Sequence, residues 1–154
     1  MKTCFAILFS ILLVFQARAQ IKMALPLNSL HITSGFGFRI HPVTGIRDFH
    51  RGVDLRAKSE PVFAILPGRV IACGYQPILG NYVKMQHGDL VSIYGHLSLV
   101  LVEASLKIPA GFLIGISGES GRTTGAHLHF AISLGGVYIN PIRFLYALES
   151  NNHW

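Results

Sequence analysis

Apolar and polar positions alternate along most of this chain in short runs broken by glycine and proline, the signature of β-strands joined by tight turns. Residues 61–66, 68–75, 81–86 and 90–94 are rich in Val, Ile and Tyr, and 113–117, 127–133 and 137–139 continue the series. Pro67-Gly68, His87-Gly88-Asp89 and Gly135-Gly136 separate them as turn signals. The pattern changes only near the end, where residues 141–148 predict a helix with Pro141 in its first turn and Asn140 as its cap. These elements predict one all-β domain, mainly antiparallel, closed by a short C-terminal helix.

The N-terminus follows another rule. Lys2 precedes an apolar run over residues 4–15, and Ala17-Arg18-Ala19 then offers the small-x-small pattern of a signal-peptidase site. The run has 12 residues, against the roughly 20 needed to cross hydrocarbon as a helix. Residues 1–19 therefore read as an export signal, with an uncleaved anchor as the alternative. Residues 20–31 form a leader that can pack on the domain, 32–148 the folded unit, and 149–154 a polar tail. The expected location is the periplasm or the extracellular space, as a monomer with no stable membrane insertion after cleavage.

Removing residues 1–19 leaves 11 Lys+Arg against 7 Asp+Glu, a formal charge of +4. Basic exported domains suit anionic polymers. The basic residues, among them Arg39, Arg47, Arg51, Arg56, Arg69 and Arg122, are scattered, without the dense aromatic-interleaved run that a nucleic-acid partner would favour. The mature chain keeps only Cys73, in the apolar stretch Val70-Ile71-Ala72-Cys73, where it reads as a small buried residue. No internal disulfide is available, so the core must supply the stability.

Eight histidines give the chain its chemistry. His153 lies in the tail, His31 precedes the first strand, His41 is pinned before Pro42, and His87 sits beside Gly88 at a turn; these four read as structural or inert. His50, His96, His127 and His129 occur in glycine-marked contexts, where backbone or substrate can approach closely. On a strand His127 and His129 share one face, about 6.6 Å apart, so a metal bound by one leaves the other beside it. His50 and Asp54 are an even number of residues apart, so a strand or a helical turn can aim both at one point. Two imidazoles and a carboxylate make a zinc site with a fourth position for water. The spacing leaves a closed structural site open as an alternative, although such sites usually draw on cysteines and the chain has no Cys cluster.

With Ser34-Gly35-Phe36-Gly37-Phe38-Arg39, His50-x-x-x-Asp54, Tyr94-Gly95-His96 and His127-x-His129 in this order, the sequence resembles the lysostaphin-type (LytM) zinc metallopeptidases. The likeness runs from Ile32 to Pro141. It implies a compact antiparallel β-sandwich with a groove over the metal, a duplicated hybrid motif. It further implies one Zn²⁺ per chain held by His50, Asp54 and His129, with His96 and His127 catalytic. Peptide cross-links of bacterial peptidoglycan would be the substrate, a D-alanyl–diaminopimelate bond before a glycine bridge. Arg39, Arg47 and Arg122 are candidate contacts for its carboxylates. An accessory wall-opening enzyme of a transfer or secretion machine, and a non-catalytic wall-binding regulator, are the alternative roles. The departures are mild: Ser59 stands where the family often has glycine before its Pro-Val strand, residues 103–108 lack a usual glycine, and Ala126 stands where proline is common.

Overall fold

The computed structural model describes residues 23–40 and 44–151. Residues 1–19, read from the sequence as an export signal, lie outside the described residues, as do His41 and His153. Twelve strands and one helix follow in chain order: β1 (Ile32–Ser34), β2 (Gly37–Ile40), β3 (Arg47–His50), β4 (Val53–Arg56), β5 (Pro61–Phe63), β6 (Gly68–Gln76), β7 (Gly80–His87), β8 (Leu90–Val100), β9 (Lys107–Ile108), β10 (Leu113–Ser117), β11 (His127–Leu134), β12 (Val137–Ile139) and α1 (Pro141–Asn151). Ten strands form one antiparallel sheet whose main path runs β1-β4-β11-β8-β7-β6-β9, with β10 and β5 branching from β8 and β12 from β11; β2 and β3 pair as a separate hairpin.

Alternation decides which face is which. Val53, Leu55, Val83, Met85, Leu128, Phe130 and Ile132 point into one core with Tyr94, Leu97, Val62 and Ile114. Their sequence neighbours Asp54, Lys84, His129 and Ala131 consequently turn to the opposite face. Burial of these large side chains contributes on the order of 1.5–3 kcal/mol each relative to exposure. A stiff floor for the polar face is the consequence.

The helix is capped as expected, with Asn140 Oδ1 accepting from the backbone N–H groups of Ile142 (3.0 Å) and Arg143 (3.3 Å). The leader packs on the domain: Leu27 is fully buried, and Ala24 N–H donates to Ile65 O at 2.9 Å.

Several expectations need correction. The apolar run at 61–66 yields a strand only to Phe63, because the Ala64 N–H turns to the loop carbonyl of Phe112 and the Ile65 N–H to the side-chain hydroxyl of Tyr94. β8 runs six residues past Tyr94, to Val100, because Leu97 onward pairs with β10. His50 and Asp54 lie neither on one strand nor on one helical turn; the turn at Arg51-Gly52 separates β3 from β4 and brings both inward. Cys73 is half-buried, its thiol toward Val102 O at 3.5 Å. His87 ends a strand instead of lying in the turn: its Nδ1–H donates to Pro67 O (2.9 Å) and its Nε2 accepts from the buried Ser92 hydroxyl (2.8 Å). Both places lacking a family glycine hold a serine with left-handed backbone, Ser59 at φ 55° and Ser105 at φ 76°.

Candidate metal centre and cleft

The site is assembled by strand register. Asp54 on β4 and His129 on β11 are direct cross-strand partners, and His129 faces Gly95 of β8 on its other side. His50 enters from the end of β3, whose residue 50 pairs with Gly37 of β2. The three donor atoms form a nearly equilateral triangle. His50 Nε2 lies 3.2 Å from Asp54 Oδ1 and 3.2 Å from His129 Nδ1, and His129 Nδ1 lies 3.0 Å from Asp54 Oδ1. Tetrahedral zinc with bonds of about 2.0–2.1 Å separates its ligand atoms by roughly 3.3–3.4 Å, so the triangle matches one face of that polyhedron within a few tenths of an ångström.

The proton positions point the same way. His50 Nδ1–H donates to Gly35 O at 2.8 Å, which leaves a lone pair on Nε2. That lone pair and the Asp54 carboxylate are both acceptors, crowded together with His129. A cation at the centre would be within reach of all three donors. His50 and Asp54 are only 7% and 8% exposed, so the donor atoms of His50, Asp54 and His129 converge in one buried corner. Burial opposes ionisation of Asp54, but the close approach of the His127, His129 and His50 rings outweighs it and holds the carboxyl well below the usual carboxylate range. Burial pulls His129 below the ordinary imidazole value, which favours the neutral form that a ligand must have.

Two further histidines flank the triangle. The β8–β11 ladder ends at Gly95, and β8 takes up β10 at Leu97. His96 sits at this change of partner with φ 60°, a left-handed conformation rare for a side-chain-bearing residue and held by its N–H to Leu79 O at 2.6 Å. The kink turns its ring to within 4.6 Å of the His127 ring, centroid to centroid. His96 Nδ1–H donates to Ser120 O, and His127 Nδ1–H to Gly125 O, each at 2.8 Å. Both neutral rings therefore present a bare Nε2, that of His127 lying 3.5 Å from Asp54 Oδ1. Burial pulls His96 down to about 4, against a smaller upward pull from its bond to Ser120. For His127 burial also acts downward, but the Asp54 carboxylate and Gly125 carbonyl prevail and raise it.

The five residues open onto a cleft of about 310 Å³ that Arg39 and Arg122 also line. Arg39 reaches Asp54 Oδ2 at 3.4 Å, so it touches the carboxylate of the triangle. Arg47 is elsewhere, its guanidinium 4.8 Å from the ring of Phe38 on the hairpin. Sequence reasoning passed over Gly35, Ser120 and Gly125, whose contribution is a backbone carbonyl; no side-chain pattern announces that role. It also passed over Arg51, Lys84 and Tyr138, which line the cleft and were separable from other surface residues only by sheet register.

Three convergent donors, two unligated imidazoles and an open cleft describe a reactive metal site and not a closed structural one. The sequence profile of Peptidase family M23 matches residues 48–141, more than half of the chain, and the chain belongs to that family. The peptidoglycan DD-endopeptidase ShyC of Vibrio cholerae is 37% identical over 119 residues, which cover 75% of this chain and 28% of ShyC. A crystal structure of a zinc-containing peptidase from Vibrio cholerae superimposes with a TM-score of 0.72 at 32% identity, over 78% of this chain and 39% of that one. The catalytic domain of the antimicrobial peptidase lysostaphin from Staphylococcus simulans does so with a TM-score of 0.71 at 28% identity, over 81% of this chain and 99% of that domain. The chain spans about a quarter of the length of the curated relatives it matches.

Proposed function

We propose that this chain is an exported zinc endopeptidase that hydrolyses peptide cross-links of bacterial peptidoglycan. The observation that carries the reading is the His50–Asp54–His129 triangle, with edges of 3.0–3.2 Å, set beside two histidines each anchored at Nδ1 by a backbone carbonyl. Zinc, when held by these three residues, activates water and polarises the scissile carbonyl. His96 and His127 divide the remaining proton work. Each is fixed by a backbone carbonyl on Nδ1, so each offers Nε2 to accept the proton of the attacking water or to return one to the leaving amine. Their two assignments within that pair are interchangeable on geometry. The cross-strand floor keeps peptide and water in place, and the buried corner reduces competition from bulk solvent.

A D-alanyl–diaminopimelate bond is the preferred target, in keeping with the DD-endopeptidase named among the relatives. The sequence pattern of residues 1–19 supports action outside the cytoplasm. Among the described residues no helix is long and apolar enough to cross a membrane.

Metal analysis of two variants, combined with digestion of purified cell wall, tests the reading. The wild type should hold one zinc per chain and release peptides in which mass spectrometry finds the cross-link cut. His129→Ala removes one of three donors and should lose the metal. His127→Ala leaves the triangle intact and should keep it, yet slow by roughly 10²-fold or more, the usual contribution of a positioned acid–base group. Zinc lost from His127→Ala and kept by His129→Ala would reverse the roles. Unimpaired digestion by both variants would place the reaction elsewhere.

A further inference from the structure

The cleft carries more positive charge than its metal chemistry requires. Arg39, Arg51, Lys84 and Arg122 line it, against the carboxylates of Asp48 and Asp54. Arg39 is paired with Asp54. Among the described residues no carboxylate lies within ion-pair distance of Arg51, Lys84 or Arg122. A metal at the triangle adds further positive charge.

Register places two of these cations around one spot. On β11, Ala131 follows His129 by two residues and so shares its face, about 6.6 Å further along. Ala131 pairs with Ile93 of β8, and Ile93 pairs with Lys84 of β7. Lys84 thus borders a small, apolar floor from the β7 side, its ammonium 5.9 Å from the Tyr82 ring. On the other side of β11, Val53 pairs with Phe130 and Tyr138 of β12 pairs with Ser133. Arg51, two residues before Val53, stands there with its guanidinium 6.0 Å from the Tyr138 ring. Lys84 and Arg51 therefore flank the same Ala131–Ile93 floor from opposite rims, one step beyond the metal ligand.

We propose that Lys84 and Arg51 form a carboxylate subsite that selects peptides bearing a free carboxylate on the residue next to the scissile amide. The proposal rests on the peptidase reading given above. One Cα–Cα step, about 3.8 Å, separates successive residues of a bound peptide. A carboxylate one residue from the bond held at the triangle is then within reach of the long Lys84 and Arg51 side chains. Both are flexible, and each has a neighbouring tyrosine ring to lie along. Charge-assisted hydrogen bonds to such a group are stronger than neutral ones. A glycine bridge, which has no carboxylate beside its scissile bonds, gains nothing here.

Two synthetic cross-linked peptides test this, identical except that the carboxyl beside the D-alanyl amide is free in one and a carboxamide in the other. Zinc-loaded full-length protein should cleave the free acid with a kcat/KM roughly tenfold above the amide, as expected for one charge-assisted bond. That ratio should fall toward one in Lys84→Met and in Arg51→Gln, and in the wild type as salt rises from 50 to 500 mM. The same pair is titrated calorimetrically into the zinc-loaded His127→Ala protein with and without Lys84→Met, so binding is read while turnover is slowed. Lys84-dependent preference in binding without any cleavage by the wild type would keep the subsite and overturn the peptidase reading. Equal cleavage of acid and amide, or a full preference retained in both variants, would overturn the subsite and leave the peptidase reading standing.

Discussion

Gly52 is where the smallest change should do the most specific damage. It occupies the turn between β3 and β4, with the polypeptide of β11 pressed against it. A Cβ at this position would lie 2.6 Å from Phe130 O, 2.8 Å from His129 Cε1 and 2.9 Å from His129 Nε2. Ordinary carbon contacts begin near 3.5 Å, so the methyl of Gly52→Ala demands movements of about 0.6–0.9 Å. The Phe130 carbonyl sits in a paired central strand and its side chain fills the core, so the backbone is poorly placed to yield. The His129 ring is left to turn. Metal–ligand distances tolerate only about ±0.2 Å, so such a rotation spoils the triangle. The expected loss in zinc affinity is roughly 10–100-fold, the scale seen when support of a ligand is removed, or about 1.4–2.8 kcal/mol. Competition with a chromogenic chelator measures it. Gly125→Ala serves as the control for zinc affinity, because a Cβ there meets nothing within 4 Å and the carbonyl to His127 is kept. Wild-type zinc affinity in Gly52→Ala, with an unchanged melting temperature, would refute the claim that this position holds His129 in place.

Two further predictions concern stability. Burial lowers the titration point of His87 in the fold, while the unfolded chain takes up its proton near 6.5. The unfolded state then binds more protons as pH falls, so the stability tied to His87 is present above about pH 6.5 and lost as pH drops through its folded value. Urea midpoints at pH 7.5 and 5 should fall less in His87→Gln than in the wild type, and an identical fall in both would sink the idea. Ser105, at φ 76°, adopts a conformation costing on the order of 1 kcal/mol for a residue with a side chain, while its N–H bond to Val70 O is a backbone contact that glycine preserves. Ser105→Gly should raise the urea midpoint by the equivalent of a few tenths of a kcal/mol, after the entropy of the freer unfolded chain is subtracted; a lowered midpoint would show that the strain is absent.

What could be read from the sequence was set by periodicity and by rare residue combinations. The long strands β6, β7 and β11 and the capped helix carry their period and their turn residues in plain view. β1 to β4 do not, because each has only three or four residues and Arg47-Asp48-Phe49-His50 alternates too briefly to register. Yet those short strands deliver His50 and Asp54, so the residues of the site were legible while the elements that position them were not. His96 is a similar case. Its neighbours Tyr94 and Leu97 are fully buried and ordinary for a strand, and nothing local indicates that the strand changes partner between them. Arg39 and Arg47 look alike in sequence. Their strand pairing separates them, since Arg39 pairs with Asp48 and shares its face with Gly37 and His50, while Arg47 pairs with Ile40 on the face of Phe38 and Phe49.

The arrangement also explains how a domain without disulfides can hold a metal triangle to within a few tenths of an ångström. Asp54 and His129 are opposed across the β4–β11 ladder, and each is flanked in sequence by residues sunk in the core: Val53 and Leu55 on one strand, Leu128 and Phe130 on the other. Moving either ligand along its strand would pull two large side chains out of register, and a one-residue slip would send both ligands into the core. His50 lacks such neighbours and is steadied instead by the Gly35 carbonyl on Nδ1 and by the hairpin register at Gly37. The flanking histidines are held more locally still, His96 by a strained backbone and the Ser120 carbonyl, His127 by the Gly125 carbonyl. Rigidity thus grades outward from ligands fixed by the core to catalytic candidates fixed by loops. Loosening the 118–126 segment should therefore cost rate before it costs metal, whereas a cavity beneath β11 should cost both together.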